Sequence, residues 1–381
     1  MKKIIPWILA AKVLGQHIGY RLRLCDAPDI TTYYAYYDPW FAQLFGLDRR
    51  LHILFAERIP QDHALIIASN HGKLDDPFFI WSAIYRASGG KIRAKFVMRD
   101  DYFRGVPWDY LPIRMNDLLY RAGAYPISRE EIKLSQLKPL MRILQDGDSF
   151  IIFPGRTRSR SGLLFEYREP FTEPGALSFF LQQAQRRNTK YPVAVLPVTR
   201  IAHPITQESF VTLGEPMYLD RFASSREELR AFDEKVVLAL AAESVVHESH
   251  VLATCLYLHT LHTCKQPLSF DVLRTITADV LHRVRAPVPP AAIQELEPRL
   301  DHALHHLARK GYVQRRGNAV LPRHARILAV PPLDTNYRRR NLVKYLVNQV
   351  LHHDDVTHEV ERRMFGNSAD SAVQLHGDSV A

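Results

Sequence analysis

Cysteine is scarce in this chain, which has three among its 381 residues: Cys25, Cys255 and Cys264. They form no C-x-x-C pair, and no histidine lies beside them at a spacing typical of metal ligands. A disulfide framework and a structural zinc site are therefore not expected. The composition is that of a protein whose buried free thiols stay reduced in a reducing compartment.

Long apolar runs are also lacking. The best one, Ile4–Ala11, is interrupted by Pro6 and stopped by Lys12, whereas a membrane-spanning helix needs about 20 apolar residues. The interrupting charge and the lack of a clear small-residue cleavage site argue against a signal peptide as well. The sequence therefore predicts no transmembrane helix.

Acidic residues are outnumbered, since 50 Lys and Arg stand against 40 Asp and Glu, which gives a formal charge of +10 and a pI near 9.5. This balance favours anionic partners such as phosphate groups, acidic bilayers, acidic carrier proteins or nucleic acid. Residues 1–23 mix apolar side chains with Lys2, Lys3, Lys12 and Arg21. Such a segment fits an interfacial helix on an anionic membrane, or a helix packed on its own domain, and the sequence leaves both open.

Apolar residues are plentiful at 46%, and the length allows more than one domain. Strand-like apolar runs alternate with helical patterns, which predicts an α/β layer architecture. The predicted strands are Ala64–Ser69, Lys95–Met98, Ala124–Ile127, Ser149–Phe153 and Val193–Val198. The predicted helices between them are Pro77–Ala87, Arg129–Gln145 and Gly175–Arg187.

The pattern changes after residue 222, where strand signals fade and helical patterns such as Arg226–Thr263 take over. From about Asp354 the sequence is polar without sustained periodicity, so we expect its end to be frayed. Four segments follow from this pattern: a helical N-terminal segment that is a candidate for membrane contact, an α/β domain, a mainly helical domain and a polar tail. Their predicted ranges are 1–60, 61–222, 223–353 and 354–381.

The first candidate site is NHGKLDDP, residues 70–77, directly after the strand Ala64–Ser69. Asp76 before Pro77 is typical of an N-cap followed by proline at the first helical position. From there a carboxylate oxygen can reach His71 in the preceding loop, and an imidazole held by a carboxylate is a good general base for an alcohol. The alternative is that Asp76 only caps the helix and His71 is only a loop residue.

The second candidate site is GAYPISR, from Gly123 to Arg129. Ser128 and Glu131 fit a capping box, which would place Arg129 in the first helical turn. Free backbone N–H groups and an arginine together can bind an anion. Because cations are disfavoured at a helix N-terminus, Arg129 is either incidental or binds a phosphate.

The third candidate site is FPGRTRSRSG, residues 153–162, in which three arginines alternate with hydroxyl residues after the strand Ser149–Phe153. The carboxyl ends of strands are where open α/β sheets bind ligands. Guanidinium groups match phosphate oxygens, and hydroxyls add donors. This pattern favours a phosphate site over a merely solvated basic loop.

These three sites, in this order, resemble the glycerophospholipid acyltransferase family, which includes glycerol-3-phosphate and 1-acylglycerol-3-phosphate acyltransferases. They are similar to its motifs N-H-x4-D, G-x5-R and F-P-E-G-T-R-S-R, and residues 196–198, Leu-Pro-Val, look like its later apolar-proline motif. The resemblance covers about Ala64–Leu219. A looser likeness to the larger members extends to Tyr345, Asn348 and His352.

The resemblance implies an α/β acyltransferase-like domain with an N-terminal helical segment and a mainly helical C-terminal domain. It implies that His71 is the catalytic base and Asp76 its partner, and that Pro197 lines the acyl site. The residues that it assigns to substrate binding, with Arg156 added as an extra cation, are Gly123, Arg129, Phe153, Pro154, Arg156, Thr157, Arg158, Ser159 and Arg160.

Two departures from the family pattern stand out. Gly155-Arg156 replaces the family's Glu-Gly pair, and Lys73 stands where the family often has Ser. Both changes add positive charge around the expected acceptor pocket, so the identity of the acceptor stays open.

We therefore expect transfer of a fatty acyl group from acyl-CoA or acyl carrier protein to glycerol-3-phosphate or a lysophospholipid such as lysophosphatidate, in phospholipid biosynthesis. The expected partners are this donor, this acceptor and an anionic membrane surface. We expect a cytoplasmic protein that binds peripherally to the inner face of the membrane. No metal, other cofactor or nucleic acid is expected. No G-x-S-x-G motif occurs, which argues against a serine acyl-enzyme.

Two alternative functions are also compatible with the sequence. The chain could be a lipid or thioester hydrolase with water as acceptor. It could also be a membrane- or nucleic-acid-binding protein with a degenerate acyltransferase site. The pattern of Gln294–Leu321 is typical of a helix, a break at Gly311 and a β-wing, which together with the basic charge could contact nucleic acid.

Overall fold

A computed structural model describes residues 5–26, 38–39, 42, 46–99, 123–127, 134–155, 158–166, 175–187, 189–220, 223, 225–262, 266–332 and 335–366. The chain divides by contacts into two units. Unit 1 is Met1–Arg158 with Phe165–Glu243, and unit 2 is Ser159–Leu164 with Ser244–Ala381. The chain thus passes into unit 2 in the middle of the third candidate site and returns.

The described residues of unit 1 form a seven-stranded sheet in the order β1-β7-β6-β2-β5-β3-β4. Its strands are β1 (Leu51–Leu54), β2 (Ala64–Ser69), β3 (Lys95–Arg99), β4 (Ala124–Ile127), β5 (Phe150–Ile152), β6 (Val193–Ala202) and β7 (Ser209–Leu213). Strands β2 to β6 are mutually parallel where they pair, β7 is antiparallel to β6, and β1 is parallel to β7. The mixed, mainly parallel sheet confirms the predicted α/β class.

The five predicted strands are all present, and β6 is the one whose end differs most, since it continues to Ala202. Strand β2 is buried along its whole length, as expected of a parallel strand covered on both faces. Its residues Leu65 and Ile67 share an apolar cluster with Ile80 and Ile84 of the following helix. This packing fixes the helix that follows the first candidate site against the sheet.

The helices of unit 1 are α1 (Ile5–Arg21), α2 (Leu47–Arg50), α3 (Asp76–Ala87), α4 (Leu134–Gln145), α5 (Ala176–Gln185) and α6 (Arg226–Ala242), with a 3-10 turn at Ala56–Arg58. The bounds of α3 and α5 follow the predicted helices closely. The predicted start of α4 at Arg129 lies outside the described residues. Among the helices that are described, none is long and apolar enough to cross a membrane.

The predicted N-terminal and central boundaries differ from the structure. Residues 51–54, expected to be helical, form β1, because they pair with β7 across the sheet. The predicted helix Arg226–Thr263 is two helices, of which the first, α6, lies in unit 1. Val236 and Leu240 of α6 are fully buried, and the Thr199 hydroxyl of β6 donates to the Leu240 carbonyl over 2.7 Å. The contact boundary therefore falls after Glu243, not at residue 222.

Unit 2 is mainly helical. Its helices are α7 (Glu248–Leu261), α8 (Phe270–Arg283), α9 (Pro290–Gln294), α10 (Leu296–Arg309), α11 (His324–Ile327), α12 (Tyr337–Arg340), α13 (Leu342–Gln349) and α14 (Asp354–Phe365). Strands β8 (Leu268–Ser269), β9 (Val313–Arg316) and β10 (Ala319–Pro322) form an antiparallel sheet in the order β8-β10-β9. Residues 248–260 of α7 are buried on every side, so this helix is the centre of the unit.

The predicted helix and β-wing are present as α10 and the hairpin β9–β10, separated by Gly311 at φ 76°. The first part of the predicted polar tail 354–381 forms a helix, α14. Val356 and Val360 of α14 are fully buried and lie one turn apart. Two buried valines in an otherwise polar stretch gave too weak a periodicity to be read from the sequence. Residues 367–381 lie outside the described part of the chain.

Candidate active site

The first and third candidate sites meet because their strands are neighbours. Ala68 of β2 is registered with Ile152 of β5 in a parallel pair. The carboxyl ends of both strands therefore reach the same edge of the sheet. The His71 loop starts two residues after β2, and Phe153 directly follows β5.

His71 is held by Asp76. Its Nδ1 lies 3.0 Å from Asp76 Oδ2, and the His71 side chain is 24% exposed. Within the described residues Nε2 of His71 has no hydrogen-bond partner. An Nδ1–H donated to a carboxylate leaves Nε2 as the basic nitrogen, so the ring is oriented to accept a proton from a bound hydroxyl.

Asp76 is not the N-cap that the sequence predicted. Asp75 occupies the N-cap position of α3 without a side-chain capping bond, and Asp76 is the first helical residue, followed by Pro77. The Asp76 carboxylate turns back to the preceding loop, where Oδ2 accepts from the N–H groups of Gly72 and Lys73, each over 2.6 Å. It therefore fixes the loop that carries His71 in addition to the imidazole.

A residue that the sequence did not single out completes this arrangement. Arg200, on β6, donates from Nη1 to Asp76 Oδ1 over 2.5 Å and to Asp75 Oδ1 over 2.8 Å. Its Nη2 donates to Ser209 Oγ over 3.0 Å, and the guanidinium lies 3.7 Å above the ring of Phe79. The one signal in the sequence was an arginine inside the apolar run VAVLPVTRIA, because a buried arginine needs a partner.

The balance of charges keeps Asp76 ionised. Burial alone would raise the pKa of this carboxyl, but Arg200, the contact with His71 and the Lys73 N–H outweigh it and lower the pKa below its usual value. A carboxylate that stays ionised can stabilise an imidazolium as it forms.

Asn70, the first residue of the N-H-x4-D pattern, joins β2 to β6. Its Nδ2 donates to the Arg200 carbonyl over 3.0 Å, and its Oδ1 accepts from the Arg200 N–H over 2.8 Å. The pair extends the β2–β6 ladder one step beyond Ser69 and Val198. The asparagine thus sets where the strand ends and where the His71 loop begins.

Phe153 contacts the imidazole directly. The two rings stack with centroids 4.5 Å apart and planes 27° apart. Phe153 and Pro154 are both half-buried. The first residue of the third motif therefore restricts the rotation of His71, which the sequence alone could not assign to it.

The third motif continues through both units. Gly155 has no room for a side chain, since a Cβ there would lie 2.6 Å from Cδ1 of Phe165. Arg158 is half-buried, and its guanidinium has no hydrogen-bond or ion-pair partner in the described part of the chain. Arg156 and Thr157 lie outside the described residues.

From Ser159 on, the motif packs in unit 2. The Ser159 hydroxyl is buried and has no partner among the described residues, which leaves a polar group that a ligand could satisfy. Arg160 is exposed, and its carbonyl accepts from the Tyr337 N–H over 3.0 Å. The Ser161 carbonyl accepts from Asn348 Nδ2, also over 3.0 Å. Gly162, at φ 98°, passes so close to the Tyr345 carbonyl that only glycine fits.

The other residues that the motif resemblance assigns to substrate binding are Gly123, Arg129 and Pro197. Gly123 is buried, has φ 96° and accepts from the Phe96 N–H at the start of β4, the edge strand of the sheet. Arg129 lies outside the described residues. Pro197 is buried in the middle of β6, registered with Ala68. Its neighbours Leu196 and Val198 belong to the apolar core of unit 1.

Comparisons with known proteins find similarity over part of the chain. Residues 50–199 match the family model described as Acyltransferase. No curated protein matches the chain. The crystal structure of the 1-acyl-sn-glycerophosphate acyltransferase PlsC from Thermotoga maritima is similar to 62% of this chain and 95% of its own, with 20% identity and a TM-score of 0.39.

Proposed function

We propose that the chain, whose residues 50–199 match the family model described as Acyltransferase, transfers a fatty acyl group from acyl-CoA or acyl carrier protein to the hydroxyl of glycerol-3-phosphate or of a lysophospholipid such as lysophosphatidate. The observation that carries the proposal is the 3.0 Å contact between His71 and Asp76 at the carboxyl edge of the sheet. An alcohol acceptor needs a base of this kind, and the family match supplies the acyl donor class.

The proposed reaction is direct transfer. His71 Nε2 takes the proton of the acceptor hydroxyl, and the oxygen attacks the thioester carbonyl carbon. The tetrahedral intermediate collapses, the carbon–sulfur bond breaks, and the leaving thiolate takes the proton back from His71. Asp76 orients the imidazole and stabilises its charged form during the cycle.

The oxyanion of this intermediate needs hydrogen-bond donors. The N–H groups of Gly72 and Lys73 lie closest to His71 along the chain, but both are already donated to Asp76. They are therefore not available for the oxyanion, and we do not assign them that role.

We assign the acceptor phosphate to Arg158. Support comes from its place after β5, near His71 in chain topology, and from a guanidinium that no described residue engages. A half-buried arginine without an acidic partner is suited to a phosphate. Arg129, Arg156 and Thr157 keep the same assignment from the motif resemblance alone.

We propose that α1 lies on an anionic bilayer. Apolar side chains are exposed in α1 and directly after it. Ile8 and Ile18 of α1 are 52% and 37% exposed, and Leu22 and Leu24, which follow the helix, are 63% and 77% exposed. Lys12, Arg21 and Arg23 are exposed beside them. Exposed aliphatic side chains among cations fit the interface of an acidic membrane, where a lipid acceptor would be found.

The helix α10 and its hairpin do not lead us to propose nucleic-acid binding. Arg315 of the hairpin already pairs with Asp301 of α10 over 2.5 Å. A cation engaged by a carboxylate contributes little to phosphate binding.

The test is mass spectrometry of the products that the purified protein makes from acyl-CoA or acyl carrier protein with glycerol-3-phosphate and lysophosphatidate. We expect acylated lipid from the wild type and none above background from His71→Ala. Free fatty acid as the sole product would identify a hydrolase instead, and equal product from both proteins would refute the proposed base.

Arg158→Ala then separates the two substrates. Loss of a charge-assisted hydrogen bond of about 1.5–3 kcal/mol should lower kcat/KM for the acceptor about 10- to 150-fold, mainly through KM. Arg187→Ala, which removes an exposed arginine of the same unit, is the matched control. If the thioester KM rises instead, the loop binds the donor.

A further inference from the structure

Arg200 contacts the active-site loop at both ends. At its start, the Arg200 main chain exchanges two hydrogen bonds with the Asn70 side chain, at 2.8 and 3.0 Å. At its end, the guanidinium donates to Asp75 and Asp76. His71 lies between these two attachments, so the same residue fixes both ends of the loop that carries the base.

The guanidinium itself cannot move without losing these contacts. Its side chain is 1% exposed, lies against the face of Phe79, and is held from β7 by Ser209 Oγ. A buried guanidinium with acceptors on two sides keeps one orientation, in contrast to a surface arginine. Its charge is therefore a fixed part of the surroundings of Asp76.

Among the described residues, three charged side chains surround His71. Asp76 contacts the imidazole, and Arg200 contacts both Asp76 and Asp75. The ring of Phe153, which covers the imidazole from β5, is uncharged. With a neutral imidazole these groups sum to one negative charge. When His71 takes the proton of the acceptor, they sum to zero.

Removing Arg200 would leave two carboxylates against a single imidazole. An uncompensated second carboxylate favours the protonated form of the pair that His71 and Asp76 make, so a smaller fraction of the pair could accept a proton at a given pH. The guanidinium of Arg200 opposes that effect.

We propose that Arg200 is a positioning residue that sets the charge on Asp76 and thereby the pH range in which His71 acts as a base. The inference rests on the acyl transfer proposed above and concerns the same site.

The experiment measures kcat/KM against pH for the wild type and Arg200→Met. Loss of the guanidinium should move the acid limb of the profile to higher pH by about one unit or more, because a neighbouring charge has that effect on a titrating group. Activity should drop at least about 10-fold at neutral pH and recover in part at alkaline pH. A merely structural loss would lower the profile at all pH values without moving the limb.

Three further variants complete the test. Arg200→Lys restores the charge but not the fork, so the limb should return toward the wild-type position while kcat stays low. Asp75→Asn removes one negative charge and should move the limb to lower pH. Arg299→Met is the matched control, because it removes a buried arginine paired with Glu248 in unit 2; we expect a lower melting temperature and an unmoved limb.

If Arg200→Met folds and the acid limb of its pH profile lies at the wild-type position, the inference is wrong. If that variant does not fold, an unmoved limb in Asp75→Asn overturns it equally. Failure of the proposed function is distinguishable, because it appears as equal transfer by the wild type and His71→Ala, whatever the pH profile.

Discussion

Phe153 covers one face of His71, with ring centroids 4.5 Å apart. The contact joins the first residue of the third motif to the base of the first. Of the described residues, Phe153 is the one seen to stack on the imidazole, while Asp76 holds its edge. The ring orientation therefore depends on a side chain outside the hydrogen-bonded pair.

Phe153→Ala should lower kcat about 10- to 100-fold with a smaller change in KM, since a misplaced base costs rate more than binding. The measurement is steady-state kinetics with both substrates varied. Phe179→Ala, another half-buried phenylalanine of unit 1, is the control and should keep its kcat. A Phe153→Ala variant with wild-type kcat would show that Asp76 alone orients the ring.

Asp76→Asn should lower both turnover and stability. The amide loses the charge that Arg200 contacts and leaves a guanidinium that is 1% exposed with Asp75 as its one remaining counter-ion among the described residues. Breaking a buried pair by removing one partner costs roughly 3–5 kcal/mol. Urea unfolding monitored by circular dichroism measures this loss. Asp75→Asn, whose side chain is 32% exposed, should lose clearly less; equal losses would mean that burial does not decide the cost.

Acid should remove the contribution of Asp76 to stability. Its pKa is lowered on folding, so the contribution is present above the unfolded value near 3.8 and is lost as the pH falls through the lowered folded value. The difference in melting temperature between the wild type and Asp76→Asn should therefore be constant above about pH 5 and shrink below about pH 4. A difference that stays the same down to pH 2 would contradict the lowered pKa.

Gly155→Ala should destabilise the protein by about 1–3 kcal/mol, because the new Cβ would lie 2.6 Å from the ring of Phe165. Phe165→Leu in the same chain should restore part of the lost stability. A double-mutant cycle of unfolding free energies, measured in urea, tests this. Gly72→Ala is the control, since nothing lies within 4 Å of a Cβ there. The same clash predicts that Gly155→Glu, which restores the family residue, fails to restore a family-like loop unless Phe165 is also changed.

Leu22→Asp with Leu24→Asp should weaken binding to vesicles that contain acidic phospholipid, and the wild-type binding should itself fall as salt rises. Co-sedimentation measures both effects. Leu238→Asp is the matched control, because Leu238 is 68% exposed on α6. Wild-type binding by the double variant would move the membrane contact away from α1.

The sequence by itself determined the alternating elements from Ala64 to Val198. They follow from a local rule, because apolar periodicity marks the strands. The helix and hairpin at Leu296–Pro322 were readable for the same reason, since a helical pattern, a glycine and two short strands lie in sequence order.

Only the tertiary structure decided how the site is held. Arg200 and Asp76 are 124 residues apart, and no periodicity relates them. Asp76 turned out to be the first helical residue because its carboxylate binds the preceding loop and Arg200, a preference that capping statistics cannot include. The need for glycine at position 155 depends on where Phe165 packs. Each of these facts is a contact between distant segments, and such contacts exist only once the sheet has brought the segments together.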